Sequence, residues 1–199
     1  MTQIHYVPLF RRARAKQTPY GKRRALALSR QTLVVPRISG RNVSVQFTQM
    51  SIGGDKVLAS ASSRVLLKVG WKGSRKSLPA SYLTGLMAGI RAKEKGVKTA
   101  VFYIGFQRFV RGSRLMAVAK GVIDAGIEVA ADPEALPPEE RITGEHISAY
   151  AKSLLESGRE VYLSRFSGLA KNGFKPEEYP KHFETVRRKI LQVKVEKNE

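Results

Sequence analysis

Lysine and arginine dominate the side chains of this sequence that could do chemistry. The first 93 residues carry eighteen of them against one acid, Asp55, whereas the remaining 106 carry eighteen against fifteen acids. The net charge of +20 is therefore divided into +17 and +3. Self-repulsion of like charge destabilises a compact chain, so this asymmetry favours a polyanionic partner for the first half. Nucleic acid fits best, because neutralising its phosphates releases counterions and drives binding.

The densest cationic segment is an N-terminal arm, residues 1–30, with eight cations, no acid and two prolines. Arginine pairs bidentately with phosphate and stacks on bases, so arginines clustered near Tyr6, Phe10 and Tyr20 are typical of a surface for folded RNA. We expect the arm to become ordered only on its partner, with a short helix over residues 22–30. A tail that serves only solubility or localisation is the alternative.

Two further basic groups lie later in the chain. The first stands among Gly and Ser residues, where backbone N–H groups and cations can face phosphate, and comprises Lys72, Arg75 and Lys76. The second lies between a predicted strand and the start of a predicted helix, a position that favours anions, and comprises Gln107, Arg108, Arg111 and Arg114. For each group a plain solvated loop is an equally good interpretation.

Residue sets that carry catalysis are missing from the sequence. His5, His146 and His182 are too far apart for metal-ligand spacing, and the glycine motifs of nucleotide-binding and hydrolase sites are absent. Asp55 and Asp124 are the only aspartates before residue 132, and a two-metal nuclease needs several converging carboxylates. We therefore expect no enzymatic activity, no cofactor, no metal and no small-molecule substrate.

The composition indicates a folded cytosolic protein. The chain is 42% hydrophobic and contains no cysteine, which excludes disulfides and thiolate zinc sites. No apolar run reaches the roughly 18 residues that span a bilayer. The N-terminus has no apolar signal core, so we expect neither secretion nor a membrane partner.

The elements that must position the cations begin with three predicted strands. Residues 32–38 are rich in β-branched side chains, and Pro36 indicates an edge strand. Residues 43–48 alternate between apolar and polar side chains, which is typical of a half-buried strand. Residues 56–62 form the third. Turn-forming residues separate the strands, which predicts an antiparallel meander.

The next segment has apolar residues at helical spacing. Pro79 suits the first turn of this predicted helix, and Gly96 suits its C-terminal end. One face of this helix is apolar, and small residues on a neighbouring face would allow close approach of another backbone: Ser81, Gly85, Ala88, Gly89 and Ala92. A buried strand over 99–104, a helix from Ser113 to Gly126 and a short strand over 128–130 complete the pattern. The class is α/β, a mixed sheet with β-β-β-α-β-α order and helices packed on it.

The last third of the chain is predicted to be helical and near-neutral. One helix ends at Gly158, and another begins at Pro180, with Phe183, Val186 and Ile190 on one side. The predicted organisation is an arm (1–30), an α/β core (31–131) and a C-terminal extension (132–199).

Short stretches along nearly the whole chain match one known family. They include Tyr6 to Pro8, Thr18 to Tyr20, Leu33 to Val35, Gly70 with Trp71, Ser81 to Leu86, Ile123 to Gly126, His146 with Ile147, and His182 with Phe183. The chain resembles the archaeal and eukaryotic branch of the universal large-subunit ribosomal protein family that binds 5S rRNA, number eighteen in that nomenclature. Its length is similar to that of the archaeal members.

This resemblance implies a core of ribonuclease H-like topology shared by several translation proteins. It also implies a cytoplasmic ribosomal location in the central protuberance of the large subunit, where the protein joins 5S rRNA to large-subunit rRNA beside neighbouring ribosomal proteins. Carried over residue by residue, the rRNA contacts are Arg11, Arg12, Arg14, Lys16, Tyr20, Lys22, Arg23, Arg24, Arg37, Arg41 and Asn42. The alternatives are an RNA-processing enzyme on a related fold and an architectural DNA-binding protein.

Overall fold

The protein is built around a four-stranded sheet. The structure is a computed structural model that describes residues 7–51 and 54–192. The strands are β1 (Thr32–Ile38), β2 (Val43–Gln49), β3 (Lys56–Ser62) and β4 (Val101–Phe102), in the spatial order β3-β2-β1-β4. The first three form the predicted antiparallel meander, and β4 pairs with β1 in parallel. The sheet is therefore mixed, and the α/β class is confirmed.

The described residues also form helices along the whole length of the chain. None of them is long and apolar enough to cross a bilayer. In chain order they are α1 (Arg11–Arg14), α2 (Tyr20–Ser29), α3 (Val65–Lys68), α4 (Leu78–Glu94), α5 (Arg114–Asp124), α6 (Glu139–Thr143), α7 (Glu145–Ser157), α8 (Arg159–Lys171) and α9 (Tyr179–Gln192), with single 3-10 turns at Pro133–Ala135 and Pro176–Glu178.

Three details of the predicted sheet are wrong. β1 pairs on both sides, so it is not an edge strand, although its pairing with β4 ends at Val34 and leaves Pro36 locally unpaired on that side. β4 is half-buried and much shorter than residues 99–104. The strand predicted over 128–130 is reduced to one parallel bridge between Thr99 and Glu128.

Helix α4 is buried on nearly all its faces and packs on α5. Ser77 begins α4 by accepting the Ala80 N–H at 3.3 Å. A Cβ on Gly85 would overlap the Val118 carbonyl, and one on Gly121 would overlap the Tyr82 carbonyl. The predicted role of the small residues in close packing is thus confirmed, because the two backbones meet at these glycines.

The C-terminal extension contributes to the main core. Phe183, Val186 and Ile190 form the buried side of α9, as the sequence predicts. They belong to the same buried cluster as Val45 of β2 and Trp71 of the chain before α4. The sheet, α4, α5 and α9 therefore bury one continuous set of apolar side chains.

Candidate nucleic-acid interface

The described part of the N-terminal arm forms two helices, and α2 (Tyr20–Ser29) matches the short helix expected over residues 22–30. Neither α1 nor α2 contains a buried residue, and Leu28 of α2 is 75% exposed. The Arg12 Nε donates to Thr18 Oγ1 at 3.0 Å, and the Phe10 and Tyr20 rings lie 5.2 Å apart. The predicted aromatic Tyr6 lies outside the described residues. The exposed arm cations are Arg11, Arg12, Arg14, Lys16, Lys22, Arg24 and Arg30.

Arg23 differs from the other arm cations because it is half-buried and ion-paired. Its guanidinium contacts the Asp55 carboxylate at 2.5 Å. This pair joins α2 to the turn between β2 and β3, at the end of the sheet where β1 begins. Both partners are partly exposed, so the pair contributes at most about 1 kcal/mol.

At the turn between β1 and β2, residues 39–42, Arg41 and the preceding Arg37 of β1 are exposed, but the side-chain oxygen of Asn42 is not. Ser39 Oγ accepts the Asn42 N–H at 3.0 Å, and Ser39 N–H donates to the Asn42 carbonyl at 2.8 Å. Asn42 Oδ1 is buried and has no hydrogen-bond partner among the described residues. Asn42 is predicted to contact RNA, but its side-chain oxygen faces the protein rather than solvent.

An exposed loop, residues 105–112, lies beside this turn; we call it the aromatic loop. The Gln107 side chain donates to the Pro36 carbonyl at 3.1 Å, an acceptor that is free because β4 is so short. Beneath the loop, Ile38 of β1 packs against Leu115 and Met116 of α5. The end of β1, the turn, the loop and the start of α5 thus bring five exposed cations to one end of the sheet: Arg37, Arg41, Arg108, Arg111 and Arg114.

The start of α5 has no side-chain cap. Ser113 occupies the N-cap position, but its hydroxyl makes no capping bond and is buried without a partner among the described residues. Nearby, Arg111 lies 3.6 Å from the Glu134 carboxylate, and both side chains are well exposed. The exposed pair stabilises little and leaves Arg111 free to exchange partners.

The basic loop of residues 72–76 is fixed by α9. The Lys72 N–H donates to His182 Nε2 at 3.0 Å, and the His182 ring stacks on Trp71 with centroids 5.1 Å apart. Tyr179 OH and Ser77 Oγ are hydrogen-bonded at 3.1 Å. Lys72 and Lys76 are exposed and Arg75 is half-buried. Sequence patterns did not reveal this arrangement, because its partners are more than a hundred residues apart.

Burial and nearby cations determine the protonation state of His182. Burial lowers its pKa below the ordinary 6.5, and the positive charges of Lys72 and Lys189 lower it further. A neutral imidazole keeps Nε2 available as the acceptor for the Lys72 N–H. His182 thus has a structural role, and it holds a loop whose cations are candidate RNA contacts.

Comparison with known proteins decides the family. Residues 5–98 match the family described as ribosomal large subunit proteins 60S L5 and 50S L18. The large ribosomal subunit protein uL18 of Ignicoccus hospitalis is 47% identical over 183 residues, which cover 92% of this chain and 89% of that protein. The uL18 proteins of Caldivirga maquilingensis and Thermofilum pendens are 45% and 44% identical, over 94% and 92% of this chain and 91% and 93% of their own lengths. The chain belongs to the uL18 family.

Membership of the uL18 family confirms several expectations. The family consists of structural proteins of the large ribosomal subunit, not enzymes, and the similar proteins are archaeal. The protein is accordingly a structural component of the cytoplasmic ribosome.

The two aspartates of the first 131 residues have structural partners, as suits a uL18 protein without catalysis. Asp55 pairs with Arg23. Asp124 accepts the Tyr82 hydroxyl at 2.8 Å and the Lys120 ammonium at 3.0 Å. Burial, with Asp124 as a second cause, raises the Tyr82 pKa well above its usual range, so the hydroxyl stays a donor. Within residues 7–51 and 54–192, no cluster of His, Asp and Glu is suited to a metal ion.

The candidate contacts of this uL18 protein do not form a single cluster. The arm joins the core at the end of the sheet where β1 begins, whereas the 39–42 turn and the aromatic loop lie where β1 ends. A strand of seven residues separates these ends by roughly 20 Å. Any one nucleic acid that contacts both groups must extend along that distance.

Proposed function

We propose that this uL18 protein binds 5S rRNA and attaches it to large-subunit rRNA in the central protuberance. The observation that carries the proposal is the exposure of the first half's cations with only one acid, Asp55, to oppose them. Crowded phosphates repel one another, and clustered guanidinium and ammonium groups neutralise them, while the counterions released drive binding. The role is therefore that of a scaffold.

Each part of the chain has its own task in this proposal. The arm (1–30) reaches between RNA elements, and the core (31–131) fixes the orientation of the arm, the 39–42 turn and the aromatic loop, while α9 of the extension fixes the basic loop of residues 72–76. The extension (132–199) carries twelve cations and twelve acids, so it has no net attraction for RNA and offers surface to neighbouring ribosomal proteins.

We propose a ribonuclease H-like topology for the core. Three antiparallel strands are followed by a helix and a parallel strand beside β1, which supports this assignment. The Thr99–Glu128 bridge lies where a further parallel strand would begin. The likeness concerns topology alone, because Asp55 and Asp124 are engaged in structural contacts.

Competition binding tests the proposal. At physiological salt, 5S rRNA should bind about 10³-fold more tightly than unstructured RNA or duplex DNA of similar length, the ratio typical of specific recognition. The native protein should also sediment with the large subunit and carry 5S rRNA with it. Equal affinity for all three nucleic acids would reject specific recognition and favour an architectural protein.

A charge-matched pair of variants separates the proposed surface from net charge. One variant replaces Arg11, Arg12, Arg14 and Lys16 with glutamine, and the other replaces four exposed cations of the extension, Lys152, Arg165, Lys171 and Lys181. Both lose four positive charges. Only the arm variant should lose substantial affinity; equal losses would mean that net charge alone drives binding.

A further inference from the structure

The aromatic loop exposes large apolar side chains that alternate with arginines. Phe106 is 58% exposed, Phe109 53% and Val110 50%. The segment from Gly105 to Ser113 contains Arg108 and Arg111 and no acid. Contiguous exposed apolar groups on a folded protein usually mark a binding site, and here Arg108 and Arg111 lie next to them in the sequence.

Hydrogen bonds fix the base of this loop, and the two phenyl rings are held at the surface of the protein. Gly105 and Gly112 bound the loop with left-handed φ values of +65° and +63°. The Gln107 N–H donates to the Ile104 carbonyl at 3.2 Å, and the Gly112 N–H donates to the Ala135 carbonyl at 2.9 Å. The Gln107 side chain adds the bond to Pro36.

We propose that the aromatic loop binds unpaired RNA bases. Phe106 and Phe109 stack on base faces, while Arg108 and Arg111 neutralise the adjacent phosphates. The inference rests on the proposed function for RNA as the partner, and it goes further by specifying a single-stranded element such as a bulge or loop. Base faces in a duplex are already stacked, so duplex RNA cannot use the rings.

The mixture of groups decides between RNA and a protein as the partner. An apolar protein surface would cover the phenyl rings but supply no counter-charge to Arg108, whereas Arg111 already has the exposed Glu134 carboxylate at 3.6 Å. An unpaired nucleotide supplies a flat aromatic face and an anion within the same unit, which is the combination used by single-strand binding surfaces. The proximity of Arg37, Arg41 and Arg114 provides further positive charge for the neighbouring phosphates.

The test compares Phe106→Leu and Phe109→Leu with wild type on two sets of RNA. Leucine keeps an apolar side chain and removes the ring. On 5S rRNA each variant should bind about 5- to 100-fold more weakly, the range for loss of one stacked base. Its log–log salt slope should be unchanged, because the substitution removes no charge. Wild type should also prefer a ten-nucleotide uridine-rich strand over a duplex of equal length, and the variants should lose that preference.

Two controls accompany these measurements. Arg108→Gln with Arg111→Gln should flatten the salt slope by roughly one to two units. Tyr150→Leu removes a ring that is 49% exposed in the near-neutral extension, and RNA binding should not change. Thermal melts of all variants should match wild type, since the side chains are exposed.

The outcomes separate this inference from the proposed function. Phenylalanine variants that bind both RNA sets as wild type does would overturn the base-stacking inference, including the case in which a protein covers the loop. A different result would be that wild type binds 5S rRNA no more tightly than unstructured RNA or duplex DNA and still prefers the short single strand in a way that depends on the rings. That result would overturn the proposed function and support the inference.

Discussion

Single residues without side chains determine how closely α4 and α5 approach. Gly85 and Gly121 lie where each helix meets backbone atoms of the other, and the nearest atoms are carbonyl oxygens and an amide nitrogen rather than flexible side chains. Backbone cannot yield as a side-chain end can. Adding even one methyl group there would therefore require an entire helix to move.

Gly121→Ala should destabilise the protein by about 1 to 3 kcal/mol through overpacking. The matched control is Gly168→Ala in α8, where a Cβ would meet nothing within 4 Å. That change should be neutral or stabilising by up to about 1 kcal/mol, because alanine restricts the unfolded chain and favours helix. Chemical denaturation measures both. A neutral Gly121→Ala would mean that α5 shifts freely on α4.

His182 should make stability depend on pH. Its folded-state pKa is lowered below 6.5 by burial, Lys72 and Lys189, so the folded state binds fewer protons than the unfolded state just below that pH. The stabilisation is complete above 6.5 and is lost as pH falls toward the lowered pKa. His182→Phe keeps the ring beside Trp71 but removes both the titration and the acceptor for Lys72 N–H.

Denaturation of wild type and His182→Phe at pH 8 and pH 5 measures this effect. At pH 8 wild type should be more stable by about 1 kcal/mol, because the variant leaves the Lys72 N–H without its acceptor, and the difference should shrink at pH 5. The pKa of His146 is also lowered by burial. Its titration is common to both proteins and cancels in the difference. A difference that stays constant with pH would contradict this account of His182.

At the scale of elements, the predictable parts are those whose burial pattern is local. β1, β2 and β3 follow from strand composition, alternation and turns, and the apolar spacing of α4 and α5 marks helices. β4 could not be predicted well because its length depends on where β1 offers a partner. α8 has no buried residue and hence no one-sided apolar stripe. The contact between α9 and the basic loop could not be predicted either, because it depends on a hydrogen bond between residues 110 apart in sequence.

Helix α9 should be indispensable to the core although it lies in the extension. Phe183 is 1% exposed, and its ring lies 5.7 Å from that of Tyr82 on α4. Phe183→Ala should cost about 3 to 5 kcal/mol. Leu163→Ala on α8, where the side chain is 46% exposed, should change stability by no more than about 0.5 kcal/mol. Similar small effects would indicate that α9 is only loosely attached.

At the scale of the whole molecule, charge and burial are divided between different parts of the chain. The arm carries exposed cations and buries no residue in either of its helices. The core and α9 supply nearly all the buried apolar side chains. Such a division lets the arm follow RNA without disturbing the fold, and it predicts that affinity and stability can be altered separately.

Deleting residues 1–24 should test that division directly, because the deletion removes seven cations and takes no buried side chain from α1 or α2. If about six of the cations contact phosphate, the log–log salt slope for 5S rRNA should flatten by roughly four to five units. Folding should persist, since the deletion breaks the partly exposed Arg23–Asp55 ion pair, which is worth at most about 1 kcal/mol. Binding across a salt series gives the slope, and circular dichroism with a thermal melt monitors the fold. An unchanged slope would assign the phosphate contacts to the turn and loops of the core, and a collapsed spectrum would show that the arm stabilises the sheet.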